Sequence, residues 1–221
     1  MELSQSYTRV NRSGDEAESY YSRLSSVYDL LAVSEKKFIR LGLELLNPSE
    51  GERILEIGFG TGYAQLAIAK TVIGGVSIGL DLSAGMSQIA KTKAIQSGLS
   101  DRIWLVRSNT LPIPFEDRTF DGIFSSFTLE LFDSPQIPEV LEECRRVLKP
   151  AGRLVVVCLS KDQPLPWMGR VYESLHTRYP RLLDCRPIPV RSLVKEAGFK
   201  IEKSRETRMW GLPVSILFAV R

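Results

Sequence analysis

Three glycines at alternate positions are the first candidates for ligand chemistry in this sequence. Gly58, Gly60 and Gly62 follow an apolar run that ends in Glu56-Ile57, and they precede a stretch that suits a helix. Because glycine lacks a Cβ atom, a ligand can approach the backbone closely at such a turn. A helix beginning near Tyr63 also offers unpaired N–H groups and the positive end of its dipole. The pattern predicts a nucleotide-like ligand with an anionic group, such as an amino-acid carboxylate.

Two alternatives to this interpretation remain open. A dinucleotide fingerprint, G-x-G-x-x-G, requires glycine at position 63, where this chain has Tyr63. The spacing therefore disfavours a pyrophosphate site and a nicotinamide-dependent dehydrogenase. A tight turn without any ligand is the other alternative, although three glycines at one strand-to-helix junction are costly without a ligand.

Asp81 is the second candidate for ligand binding. It ends the apolar run Val76 to Leu80, about twenty residues after the glycines, where a carboxylate can bind the hydroxyl groups of a ribose. Such an aspartate can instead cap a helix, but Ser83 can serve as that cap. Met86, in the first turn of the next helix, fits either contact with an adenine face or core packing.

Short apolar runs alternate with helical stretches through the middle of the chain, which predicts repeated βαβ units. We expect a Rossmann-like α/β fold with a seven-stranded, mostly parallel sheet, an antiparallel last strand and helices on both faces. The predicted strands are 53–57, 76–80, 103–106, 120–125, 153–159, 199–206 and 213–220, and the main predicted helices are 34–46, 63–71, 83–97, 135–148 and 191–197. The last two strands are predicted to pair through a turn at Trp210-Gly211.

The chain is predicted to form a single domain of 221 residues. Its predicted parts are a loose N-terminus (1–18), an N-terminal helical lid (19–48), a ligand-binding core (49–160), a helical insert on the substrate side (161–190) and a last helix with two strands (191–221). The insert is inferred because a crossover between parallel strands needs only about a dozen residues.

Composition excludes several classes of protein. The formal net charge is only +3, and no lysine- or arginine-rich block suggests nucleic acid as the default partner. The three cysteines show no metal-ligand spacing, and no signal peptide or long apolar run is evident. These observations predict a cytoplasmic protein without a bound metal. Cys144 lies on the apolar stripe of the helix 135–148 and is predicted to be core.

Five segments together resemble the class I S-adenosylmethionine-dependent methyltransferases, and more closely their ubiquinone/menaquinone-biosynthesis-like (type 11) branch. The resemblance spans roughly residues 20 to 220. It rests on Val27-Tyr28-Asp29, the turn from Glu56 to Gly62, Asp81, Leu111-Pro112-Ile113-Pro114-Phe115 with Phe120-Asp121, and Arg146-Val147-Leu148-Lys149-Pro150-Ala151-Gly152.

The resemblance implies a methyltransferase that binds S-adenosylmethionine and releases S-adenosylhomocysteine. Glu56 and the glycines would hold the methionine part, Asp81 the ribose, and Tyr28 would close over the methionine end. Where the family usually has Gly-Asp-Ala after the third strand, this chain has Ser108-Asn109-Thr110, so the adenine end keeps an amide acceptor but loses a charge. The expected cofactor contacts are Tyr28, Glu56, Gly58, Phe59, Gly60, Gly62, Asp81, Leu82, Met86, Asn109, Thr110 and Ser126.

The methyl acceptor and the catalytic base stay open. Residues 125–130 should lie beneath the sulfonium, and they contain no Asp/Asn-Pro-Pro-Tyr/Phe segment, which argues against amino-methylation of DNA bases. Candidate catalytic groups are His176, the only histidine, together with Tyr28 and Glu130, although Glu130 could equally be a solvated carboxylate. We expect a small or lipophilic acceptor: a quinone-precursor ring carbon, a phenol or an amine. Alternatives are a non-catalytic methyltransferase-like binding subunit and an RNA or protein methyltransferase.

The charge is unevenly distributed along the chain. Residues 161–221 carry twelve lysines and arginines against six acids, whereas the first 160 residues are slightly acidic. This basic part fits either peripheral contact with an anionic membrane surface or an ordinary solvated face.

Overall fold

A computed structural model of the chain describes residues 34–108, 111–162 and 185–221. The predicted loose N-terminus, half of the predicted lid and most of the insert lie outside these ranges. So do four of the predicted site residues, namely Tyr28, Asn109, Thr110 and His176.

Seven strands form one sheet in the order β3-β2-β1-β4-β5-β7-β6. Neighbouring strands from β3 to β5 are parallel, while β7 is antiparallel to both β5 and β6. The strands are β1 (Arg53–Ile57), β2 (Val76–Asp81), β3 (Ile103–Arg107), β4 (Phe120–Ser126), β5 (Leu148–Leu159), β6 (Lys200–Met209) and β7 (Leu212–Val220). The predicted mostly parallel sheet with an antiparallel last strand is confirmed.

Five helices are described, and each corresponds to a predicted helix. They are α1 (Lys36–Leu46), α2 (Tyr63–Thr71), α3 (Ala84–Gln96), α4 (Gln136–Val147) and α5 (Val190–Glu196). At the start of α3, the Ser83 side chain accepts a hydrogen bond from the Met86 N–H at 3.2 Å, as the sequence predicts. Helix α4 ends at Val147, and Leu148 already pairs with Phe120, so β5 begins five residues before its predicted start.

The last two strands form a hairpin through the predicted turn. Met209 pairs with Leu212, which leaves Trp210 and Gly211 as a two-residue loop, and their φ angles are +50° and +81°. Positive φ at both loop positions is the geometry that matches the twist of paired strands.

Two apolar clusters cover the two faces of the sheet, as expected for a buried parallel sheet. On β5, Leu154, Val156 and Cys158 belong to the cluster that contains α4 and α5. The alternate residues Val155, Val157 and Leu159 belong to the cluster that contains α1 and α2. Cys144 is 1% exposed within the first cluster, so its predicted core position is confirmed.

Within the described ranges, no helix is both long enough and apolar enough to cross a membrane.

Candidate cofactor and acceptor site

The glycine turn joins the carboxyl end of β1 to α2 in a conformation that favours glycine. Gly58, Gly60 and Gly62 have φ angles of +72°, +48° and +83°, in the left-handed region. The Gly58 N–H donates to the Leu80 carbonyl of β2 at 2.8 Å, which fixes the turn against the neighbouring strand. A Cβ atom on Gly58 would lie 2.1 Å from Thr128 Oγ1, so the turn also lies directly against the segment that follows β4.

Glu56 is a buried carboxyl group beside this turn. It is 2% exposed, and its Oε2 atom has no hydrogen-bond partner in the described part of the chain. Burial raises the pKa of Glu56 to about 8, and the nearby Asp81 charge adds to the rise, although hydrogen bonds from Gln65 oppose it. Gln65, in the first turn of α2, is itself held by Ser77, whose hydroxyl donates to Gln65 Oε1 at 2.7 Å.

Asp81 lies at the end of β2 and forms hydrogen bonds with both the glycine turn and the start of α3. Its Oδ2 atom accepts the Gly60 N–H at 2.9 Å, and its Oδ1 atom accepts the Ser83 N–H at 2.8 Å. Burial raises the pKa of Asp81, while these backbone hydrogen bonds stabilise its charged form and oppose the shift. Each carboxylate oxygen has a further lone pair, so the side chain can still accept a hydrogen bond from a ligand hydroxyl.

Arg146 holds the proline-containing loop that follows residue 110. Its guanidinium donates to the carbonyls of Ile113 and Phe115, each at 2.9 Å, and to the Asp117 carboxylate at 2.8 Å. Glu143 completes the arrangement because it binds Arg146 and also accepts the Ile113 N–H at 2.8 Å. Two segments on which the resemblance rests are therefore in direct contact, and Arg146 positions the loop from one of them.

The segment after β4 turns sharply at Phe127, whose φ is +49°. The Phe127 N–H donates to Val157 of β5 at 2.7 Å, and the Thr128 hydroxyl donates to the Ser126 carbonyl at 2.9 Å. Ser126 thus lies half-buried at the carboxyl end of β4, next to the glycine turn through Thr128. A short 3-10 helix, Leu129–Leu131, follows directly.

Glu130 lies in this 3-10 helix and is 0% exposed, so its alternative interpretation as a solvated carboxylate is wrong. Its Oε1 atom accepts the Leu159 N–H at the end of β5 at 3.0 Å, and its Oε2 atom has no partner among the residues that the structure describes. Burial raises the pKa of Glu130 to about 8; the Glu35 charge adds to the rise and Arg186 opposes it. Arg186 donates to the Phe132 carbonyl at 2.6 Å, just after the same turn.

Unpartnered buried oxygens concentrate at one edge of the sheet. Within the described ranges, four buried side-chain oxygens have no hydrogen-bond partner, and three of them, Glu56 Oε2, Ser125 Oγ and Glu130 Oε2, lie at this edge, while the fourth is Ser134 Oγ. Glu56 and Ser125 are the penultimate residues of β1 and β4, and Glu130 follows β4 by four residues. Buried polar atoms are normally paired, and open α/β sheets bind ligands outside the carboxyl ends of their strands. The chemistry of these groups fits a ligand with ammonium and hydroxyl groups.

Two residues of the predicted cofactor set direct their side chains into the protein. Phe59 is 3% exposed, and its ring lies against Gly79, where a Cβ atom would be 2.6 Å from Phe59 Cδ1. Met86 is 2% exposed. A ligand contact from Phe59 would therefore come from its backbone. The structure brings together Glu56, Gly58, Gly60, Asp81 and Ser126, whereas Tyr28, Asn109, Thr110 and His176 lie outside the described residues.

Three polar residues of this region escaped the sequence analysis. Gln65 had a detectable signal, because it is a polar residue in the first turn of a helix that otherwise presents Ala64 and Ile68 to the core. Glu35 and Arg186 had none. Their importance depends on proximity to Glu130, from which they are separated by many residues along the chain.

Comparison with known proteins agrees with this geometry. A family model described as a methyltransferase domain matches residues 54–152. The demethylmenaquinone methyltransferase of Lactiplantibacillus plantarum is 34% identical over 179 residues, which is 74% of each chain. That of Bacillus subtilis is 30% identical over 202 residues, covering 81% of this chain and 84% of the relative.

Among solved structures, the cyclase SpnF superimposes with a TM-score of 0.75 at 18% identity, covering 95% of this chain and 97% of its own. That likeness shows the fold alone, since one fold supports many reactions. The fold and the site define a Rossmann-like protein that binds a nucleoside-containing ligand. With the sequence relatives, the chain belongs to the class I S-adenosylmethionine-dependent methyltransferases of the ubiquinone/menaquinone-biosynthesis-like type.

Proposed function

We propose that this methyltransferase transfers the methyl group of S-adenosylmethionine to a ring carbon of a quinone precursor. The proposed precursor is a naphthoquinone in its reduced, hydroxylated form. Both relatives described above are named demethylmenaquinone methyltransferases, and each aligns with about three quarters or more of this chain. The observation that carries the proposal is the group of unpartnered buried oxygens at the carboxyl edge of β1 and β4. Such groups suit an acceptor whose ring is apolar and whose hydroxyl groups need partners.

We assign the cofactor to the glycine turn and its neighbours. Glu56 and the backbone of Gly58, Gly60 and Gly62 hold the methionine part, and Asp81 binds the ribose. The proposed set is completed by Leu82, Met86 and Ser126 and, outside the described residues, by Tyr28, Asn109 and Thr110. Bound S-adenosylmethionine supplies a methyl group already activated by the sulfonium, so the protein must chiefly bring the acceptor into line and exclude water. No metal is needed for that chemistry.

The test is a methyl-transfer assay with S-adenosylmethionine labelled on its methyl group. Purified protein is offered, in separate anaerobic reactions, a reduced prenylated naphthoquinol, a simple phenol, a small amine, RNA and a protein fraction. We expect label in the naphthoquinol, on carbon. Label only in RNA or protein would contradict the proposal, and absence of label together with absence of cofactor binding would favour a non-catalytic binding subunit.

Two matched variants test whether methyl transfer in this assay depends on the proposed cofactor site. Asp81→Asn removes the charge of the proposed ribose ligand, whereas Asp101→Asn makes the same change at an exposed position. We expect Asp81→Asn to weaken cofactor binding by about tenfold or more, in line with the loss of a hydrogen bond to a charged group. Asp101→Asn should bind and transfer like the parent.

We also propose that the acceptor is reached at an anionic membrane surface. Trp210 at the hairpin tip is 66% exposed. The edge strand β6 beside it exposes four basic residues against two acids, namely Lys200, Lys203, Arg205 and Arg208 against Glu202 and Glu206. Basic side chains beside an exposed tryptophan suit the interface of an anionic bilayer. Co-sedimentation with vesicles containing anionic lipid, but not with neutral vesicles, is the expected result, and equal recovery with both kinds would contradict it.

A further inference from the structure

Glu130 has the contacts of a side chain that serves a ligand as well as the fold. One carboxyl oxygen accepts the Leu159 N–H, and the other is buried without any partner. Leaving such an oxygen unpaired is unfavourable, because the group has lost its contact with water and gained no other partner. A ligand group that bonds to Oε2 removes that cost.

The position of Glu130 is on the acceptor side of the glycine turn. It is two residues from Thr128, which lies so close to Gly58 that a Cβ atom there would clash. It also contacts the end of β5, so it lies between the carboxyl ends of β4 and β5. Ligands of open α/β sheets bind outside these strand ends.

Three ionisable or charged groups act on Glu130 from the elements around it. Glu35 lies just before α1, Cys158 is in β5, and Arg186 lies between β5 and α5. Burial raises the pKa of Glu35 to about 7, and burial also raises the pKa of the Cys158 thiol well above its usual range. Near neutral pH the carboxyl groups of Glu35 and Glu130 can therefore each bind or release a proton. Arg186 is a permanent positive charge near them.

We propose that Glu130 contacts a hydroxyl group of a phenolic or quinol acceptor and accepts its proton. This inference rests on the proposed function and assigns a role within the same site. In the step, the acceptor O–H bond breaks, its electron pair stays on the oxygen, and the proton forms a bond to Oε2.

The proton transfer makes the ring a better nucleophile. The oxygen's electron density is shared with the adjacent ring carbons, one of which bonds to the methyl group while the S–CH3 electron pair stays on sulfur. That carbon then loses its original hydrogen as a proton to solvent, which restores the aromatic ring. Glu130 returns its proton to the acceptor oxygen, so the hydroxyl group and the free carboxylate are regenerated and the reaction as a whole releases one proton. A base with a pKa near 8 is well matched to this task near neutral pH.

The kinetic test uses Glu130→Gln and, as its matched control, Glu142→Gln at an exposed position of α4. In the Glu130→Gln variant, the amide oxygen can still accept the Leu159 N–H, but the side chain cannot take a proton. With the acceptor that is labelled in the assay above, we expect kcat to fall about 10²-fold or more, with unchanged affinity for S-adenosylmethionine. The rise of kcat with pH, with a midpoint near 8, should disappear in Glu130→Gln and persist in Glu142→Gln.

A binding test does not depend on methyl transfer. The probes are 1-naphthol and 1-methoxynaphthalene, which lacks the hydroxyl proton, and calorimetry gives the ratio of their affinities for the protein saturated with S-adenosylhomocysteine. For the parent, the preference for 1-naphthol should grow between pH 6.5 and 8.5 as Glu130 ionises. For Glu130→Gln the ratio should not change with pH.

Glu35→Gln gives an independent check, because it leaves Glu130 in place. Removing the neighbouring carboxyl charge should move the midpoint of the pH profile to lower pH. The proposal is overturned if Glu130→Gln keeps the parent kcat and pH profile, or if the naphthol preference changes equally in both proteins. If no acceptor in the panel is labelled but the naphthol preference still depends on pH, the proposed function is contradicted, while the contact between Glu130 and a phenolic hydroxyl group is supported.

Discussion

Glu56 shows how the surroundings of one residue change its chemistry. In water a glutamate is ionised at neutral pH, but here burial raises the pKa of Glu56 to about 8, so the ligand-free side chain is mainly protonated at pH 6.5. A ligand ammonium group placed beside it would stabilise the charged form and lower that pKa again. Binding of S-adenosylmethionine is then coupled to release of a proton.

This coupling is a measurable prediction at the residue scale. At pH 6.5 the α-amino group of the ligand is still charged, because its usual pKa is about 7.7–8.0. Calorimetric titrations in two buffers of different ionisation enthalpy should show release of close to one proton per ligand bound. Glu56→Gln should show none and should bind more weakly. Binding by the parent without proton exchange would contradict the assignment of Glu56 to the methionine part.

The turn between β1 and α2 depends on glycine for two separate reasons, which variants can separate. Gly58 and Gly74 have nearly the same φ angle, +72° and +75°, in the region that favours glycine. A Cβ atom at Gly74 meets nothing within 4 Å, whereas one at Gly58 would meet Thr128 at 2.1 Å. A variant at Gly74 therefore reports the backbone cost alone, and one at Gly58 adds the steric clash.

We expect Gly74→Ala to lower the free energy of unfolding by about 1–2 kcal/mol, the usual cost of a left-handed alanine. Gly58→Ala should lose about 1–3 kcal/mol more, because the segment after β4 has to move. Its affinity for S-adenosylmethionine should also fall at least tenfold, while Gly74→Ala binds normally. Urea unfolding measures the free energy of unfolding, and calorimetry measures the affinity for S-adenosylmethionine. Equal losses of both quantities in the two variants would show that the contact between Gly58 and Thr128 adds no steric cost.

Across the whole molecule, the buried carboxyl groups make stability depend on pH. Glu35, Glu56 and Glu130 all have raised pKa values, so between about pH 4.5 and 8 the folded protein binds more protons than the unfolded chain. Stability from these groups is present at low pH and is lost as pH rises through their folded pKa values. Asp121 and Glu143 have lowered pKa values, and their contribution is lost only in acid.

The ligand-free protein should therefore have a lower Tm at pH 8 than at pH 5.5. Thermal unfolding is measured at four pH values for Glu130→Gln and the parent. As pH rises, the Tm of Glu130→Gln should increase by several degrees relative to that of the parent, because the variant has no buried carboxyl group that must stay protonated or ionise. Glu142→Gln should follow the parent throughout. A constant difference between Glu130→Gln and the parent would mean that the pKa of Glu130 is not raised in the folded state.

The order of strands and helices, the glycine turn, the carboxylate of Asp81 where the second strand ends and the turn at Trp210-Gly211 could all be predicted from the sequence. These features are readable because they depend on local rules: apolar periodicity, the backbone freedom of glycine and the need of a helix start for a cap. The sequence also carried the resemblance to a methyltransferase family. It could not show that β5 starts at Leu148, since that depends on pairing with Phe120.

The protonation state of the buried carboxyl groups depends on the folded structure and could not be predicted from the sequence. From the sequence, Glu130 could be either a substrate contact or a solvated carboxylate. In the folded protein it is buried against Leu159, with Glu35 and Arg186 nearby. The physical reason is that a pKa depends on lost solvent and on charges brought close in space. Those charges come from residues that are far apart along the chain, and no local pattern reports their distance.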